Sequence, residues 1–92
     1  MNSGDEYEFL GPALAMLREM ARISVRSVSS ELGMSVSVLV SCEKGNRELS
    51  GKELLKYLKT IKASLEELYL VMDVLRFTRS RSGAKSGERG RD

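Results

Sequence analysis

Ninety-two residues, 41% of them apolar and 30% charged, fit one small globular domain. The net charge is only +2, and histidine is absent, which removes the commonest general base and the commonest metal ligand. No stretch reaches the roughly eighteen uncharged apolar residues of a membrane span, and the acidic start "MNSGDEYEF" lacks the apolar centre of a secretory signal.

Residues 1–6 are polar and are expected to form a flexible N-terminus. Phe9, Leu10, Ala13, Leu14, Leu17 and Met20 recur at three- and four-residue spacing and predict a first helix from about Tyr7 to Ala21. Pro12 is tolerated only in a first turn, which moves the start toward Leu10. Ser24 is a good N-cap for a second helix, Val25 to Leu32, with Val28 and Leu32 inward and Gly33 as its left-handed stop. Ser35 then caps a third helix, about Val36 to Lys44, ended by Gly45.

After the loop "GNRELS", Ser50 and Glu53 form the capping-box pattern that opens a fourth helix. Its inward residues are expected to be Leu54, Leu55, Leu58 and Ile61, with Lys52, Lys56, Lys59 and Lys62 outward. Ser64 caps a fifth helix, and Glu66 and Glu67 lie in the first turn, where the helix dipole favours them. Leu65, Leu68, Tyr69, Met72 and Leu75 form a long apolar stripe along it. The periodicity stops at Phe77. Residues 76–92 hold six basic against two acidic side chains, a net +4, which leaves −2 on the rest of the chain. The pattern therefore predicts an all-α fold of five helices over 7–77 and a disordered basic tail over 78–92.

From Val25 to Gly45 the sequence resembles the helix-turn-helix of phage repressors and Cro, the XRE-like family. The resemblance runs from about residue 9 to residue 70. Ser29 stands at the small-residue position of a close helix crossing, and Gly33 is the turn glycine. Val28, Leu32, Met34, Leu39 and Cys42 fill the inward positions, and Glu43-Lys44-Gly45 matches the E-x-G that closes the third helix. The openings "SGKEL" and "SLEEL" of the last two helices match as well. The resemblance implies a lambda-repressor-like five-helix fold, with the motif at about 25–44. It also implies a structural ion pair between Arg18 and Glu43.

The resemblance further implies a cytoplasmic, nucleoid-associated, non-enzymatic transcription regulator that binds double-stranded DNA as a homodimer. The third helix would enter the major groove with Val36, Ser37, Val40 and Ser41 toward the bases, and Ser24, Lys44 and Arg47 would meet phosphates. Arg, Gln and Asn read guanine and adenine through bidentate bonds, whereas valine can touch only a thymine methyl and serine reads almost any edge. The family usually opens the motif with a phosphate-gripping glutamine, and here that position is Val25. The bland reading surface keeps open a second role, a protein-interaction module such as a partner regulator, an antitoxin-like domain or a polymerase-associated factor. Its contact would use the apolar face of helix three or helix five. The width of the helix-five stripe places a dimer interface at Leu68, Tyr69, Met72 and Leu75.

The row Lys52, Lys56 and Lys59 shares one face and reads as a solubilising surface or an electrostatic footprint. Cys42 is expected to pack as a small hydrophobe. No glycine-rich phosphate loop and no paired-carboxylate pattern is present, so no catalysis and no cofactor is expected.

Overall fold

The computed structural model describes residues 8–91, and their side chains as far as Thr78. The flexible segment expected over 1–6 lies outside the described residues, as do the side chains of the arginine-rich end. Five helices follow in order: α1 Leu10–Met20, α2 Val25–Leu32, α3 Val36–Glu43, α4 Gly51–Ile61 and α5 Leu65–Arg91. No strand occurs among the described residues.

The helix boundaries follow from capping chemistry. Ser24 and Ser35 sit in extended backbone at the N-caps of α2 and α3, and each hydroxyl oxygen accepts the N–H three residues on, from Ser27 at 3.1 Å and from Val38 at 3.2 Å. α4 opens on a full capping box: the Glu53 N–H donates to the Ser50 hydroxyl at 3.1 Å, and the Ser50 N–H donates to the Glu53 carboxylate at 2.9 Å. Ser64 and Glu67 repeat the arrangement at α5, at 3.1 and 2.8 Å. Gly33 ends α2 at φ 71°, and the Met34 N–H then reaches back to the Ser29 carbonyl. A side chain at φ 71° would be strained, so glycine is needed for this turn.

The core joins all five helices. Ala13, Leu14 and Leu17 of α1 meet Val28 of α2, Leu39 and Cys42 of α3, Tyr57, Leu58 and Ile61 of α4, and Leu68 and Met72 of α5. α1 packs on α5 and α3, while α2 packs on α4 and α3. Gly11 is buried where α1 meets the end of α3, and a methyl group there would run into the backbone carbonyl oxygens of Cys42 and Glu43. The two backbones approach so closely that only glycine fits.

Several expectations change. Leu55 is exposed, and Tyr57 is buried in its place. The inward set of α4 is therefore 54, 57, 58 and 61, which is the proper i, i+3, i+4, i+7 row. Met20 is 69% exposed because it occupies the last turn of α1 on the side away from the core. α5 continues as helix to Arg91, past the boundary expected at Phe77. Its backbone holds the helical path although the apolar register that ties it to the core ends at Leu75.

Candidate nucleic-acid interface

The orientation of α3 is set from beneath by a polar cluster inside the domain. The Arg18 guanidinium of α1 donates to Glu43 at the end of α3 through Nε at 2.8 Å and Nη2 at 3.1 Å. The Tyr57 hydroxyl of α4 donates to the same carboxylate at 2.6 Å. A third Arg18 nitrogen, Nη1, donates to the Ile23 carbonyl at 2.9 Å and so fastens the α1–α2 turn. The charges of this cluster are matched and its donors are used. Glu43 is 8% exposed and the Arg18 side chain 12%, and no buried side-chain nitrogen or oxygen among the described residues lacks a partner.

The cluster also fixes protonation states. The hydrogen bond from Arg18 to Glu43 raises the guanidinium above its ordinary range, against the opposing effect of burial. Burial, and next the bond to Glu43, push the Tyr57 hydroxyl far up, so it stays protonated and serves as a donor. Burial likewise raises the Cys42 thiol, which keeps it a packed neutral group.

With Leu39, Cys42 and Glu43 turned inward, α3 presents Val36, Ser37, Val40 and Ser41 away from the core. Ser37 is exposed, and its hydroxyl lies 3.3 Å from that of Ser35. Val36, Val40 and Ser41 are half-buried. Val38 leans on the core, whereas neither Val36 nor Val40 belongs to it. Lys44 caps the C-terminal end of α3, and Arg47 follows in the loop; both are exposed. Ser24 is exposed, but its hydroxyl is already committed to the N–H and the hydroxyl of Ser27. What it leaves to a ligand are the first N–H groups of α2. Val25 packs against the core. It therefore strengthens the domain where a polar residue would reach out.

The expected dimer residues divide. Leu68 and Met72 are each 2% exposed and belong to the core under α1, so they are unavailable to a second copy. Of the stripe on α5, these two residues are satisfied within their own domain. Leu75 is half-buried on the core and Tyr69 is exposed. Among the described side chains, the large apolar residues that α5 leaves in solvent are Leu65, Tyr69, Leu70, Val74 and Phe77. Two structural residues, Tyr57 and Gly11, escaped the sequence reading. The row 54, 57, 58, 61 carried a signal for the tyrosine, whereas the glycine carries none until the crossing of α1 and α3 is known.

Among the described residues, no helix is long and apolar enough to cross a membrane, and no acidic or thiol cluster could hold a metal ion. A helix-turn-helix family model matches residues 14–68. Among solved structures, the clp gene regulator ClgR from C. glutamicum is similar in fold, with a TM-score of 0.66 and 24% identity over 72% of this chain and 85% of that one. No curated protein matches the chain.

Proposed function

The chain belongs to the XRE-type helix-turn-helix family, and we propose that it is a non-enzymatic DNA-binding transcription regulator that inserts α3 into the major groove. The observation that carries this reading is the way α3 is mounted. Its inner face is locked to α1 and α4 through Glu43, and its outer face holds short side chains with Lys44 and Arg47 at the exposed end. Lys44, Arg47 and the N-terminus of α2 at Ser24 would take phosphates. Val36, Ser37, Val40 and Ser41 would supply readout by methyl contact, water and groove shape. A solved protein of similar fold is named as a gene regulator, which agrees with this role.

The regulator would act in the cytoplasm on the nucleoid as a homodimer. Tyr69, with Leu70, Val74 and Phe77, is the part of α5 exposed for a second copy. Because few side chains reach base edges, affinity should depend steeply on salt and the specificity ratio should be small. Lys44 and Arg47 give two cationic phosphate contacts per protomer and four in the dimer, which correspond to a slope of about −3.6 in log affinity against log salt. Titration of duplexes at several salt concentrations tests this, and absence of binding to any duplex at low salt would end the proposal.

One observation favours a second reading, a protein partner on α3: Val36 and Val40 are apolar yet stand outside the core. Val40→Arg separates the two. It should abolish a hydrophobic protein contact and maintain or raise general DNA affinity.

A further inference from the structure

On another face of the molecule, α2 and α4 enclose an open cleft of about 690 Å³. From α2 it is lined by Arg26, Ser30 and Glu31, and from α4 by Lys56, Lys59 and Thr60. None of the side chains assigned above to DNA lines it, although Arg26 and Ser27 belong to the first turn of α2 that would take a phosphate. In sequence, Lys56 and Lys59 are members of a lysine row with Lys52. In the fold these two share one cleft with Arg26, thirty residues before Lys56, while Lys52 does not line it.

Among the described residues, Arg26, Lys56 and Lys59 make no side-chain hydrogen bond or ion pair, and Glu31 beside them makes none either. Cations at one concavity repel each other, so the caps and core of α2 and α4 must hold them together. Every lining residue bears a polar or charged group, with Ser27 completing the set, although more of the surface they present to the cleft is apolar than polar. A protein segment would need apolar anchors there, and a nucleobase would need an aromatic platform. The cleft has neither. What it offers an anion is one guanidinium fork suited to bidentate contact, two ammonium groups, and the Ser27 and Ser30 hydroxyls, against the one opposing carboxylate of Glu31. Because the cations stand on two walls, an anion with several linked charged groups can meet more of them than a single phosphate or sulfate can.

We propose that this cleft binds a small anion carrying two or three linked phosphoryl groups, gripped by Arg26 from one wall and by Lys56 and Lys59 from the other. This goes beyond the DNA-binding role and stands whether or not that role holds.

The test is an amide NMR titration of the full chain at low salt with pyrophosphate and with tripolyphosphate, using sulfate at matched ionic strength as the reference. The expected result is saturable shifts confined to residues 26–31 and 56–60, with tripolyphosphate binding at least tenfold tighter than sulfate. Lys56→Glu combined with Lys59→Glu should weaken tripolyphosphate at least tenfold with an unchanged thermal melt, and Arg26→Gln should weaken it as a milder second variant. Shifts spread evenly over Lys44, Arg47 and the other surface cations would overturn the proposal, as would equal affinity for sulfate or undiminished binding by the variants. Duplex DNA that displaces tripolyphosphate from these residues would make the nucleic-acid backbone the occupant and would also overturn it. DNA affinity of the double variant, measured in parallel, reports on the regulator role separately.

Discussion

The molecule arranges charge in two contrasting ways. At Arg18, Glu43 and Tyr57 the groups are nearly dry, opposite in sign and fully bonded to one another. At Arg26, Lys56 and Lys59 they are wet, alike in sign and bonded to nothing described. The first arrangement holds the fold together, since removing either charged member strands the other in a poorly solvated place. The second makes no side-chain bond that ties the fold together, which leaves its members available to an outside partner. Number of charges therefore says little about role; burial and pairing decide it.

Breaking the dry cluster should have the largest effect. Glu43→Ala leaves the Arg18 charge and the Tyr57 hydroxyl without their acceptor and should cost about 3 kcal/mol in a denaturant melt. That is the low end for a buried pair, because an edge of Arg18 still reaches water. It should also weaken DNA binding even though Glu43 faces inward, since α3 loses its tie to α1 and α4.

Tyr57→Phe comes next. Glu43 retains both bonds from Arg18, so the loss is one hydrogen bond to a charged acceptor, about 1.5 kcal/mol. The two proteins should also differ in alkali. The folded-state value of Tyr57 lies above its unfolded value near 10. Its contribution is therefore complete below about pH 10 and fades as pH climbs through the folded value. Stability measured across the alkaline range should fall more steeply for the wild type than for the variant, and parallel curves would remove Tyr57 from the cluster's energetics.

The smallest effect sharpens the comparison from the other side. Lys56→Glu reverses a charge in the wet cluster and relieves repulsion, so its Tm should stay within about 2 °C of wild type, with any change upward. A clear drop would mean that Lys56 supports the fold and that the two clusters are less different than their geometry implies.

The features legible in the sequence are those written in consecutive residues. Ser24 and Gly33 bracket α2 at the residues predicted, and the Ser50–Glu53 box opens α4 as expected. The Arg18–Glu43 contact came through the resemblance, because nothing local joins residues 25 apart. The apolar stripe of α5 was visible, but a stripe shows only that something covers it. For Leu68 and Met72 the cover is α1 and the rest of the core rather than a second copy. Leu54 and Leu55 are neighbours of equal hydropathy, and only the burial of Tyr57 chooses between the two helix faces. The cleft between α2 and α4 depends on how two helices meet, which no local pattern encodes.

The absence of a side chain at Gly11 has a mechanical consequence. Elsewhere in the core, packed side chains between helices can adjust rotamers and absorb a small displacement. Here main chain rests on main chain, at the carbonyls of Cys42 and Glu43. With no side chain between them to yield, a shift of the first turn of α1 is expected to carry with it the C-terminal end of α3, where Lys44 stands.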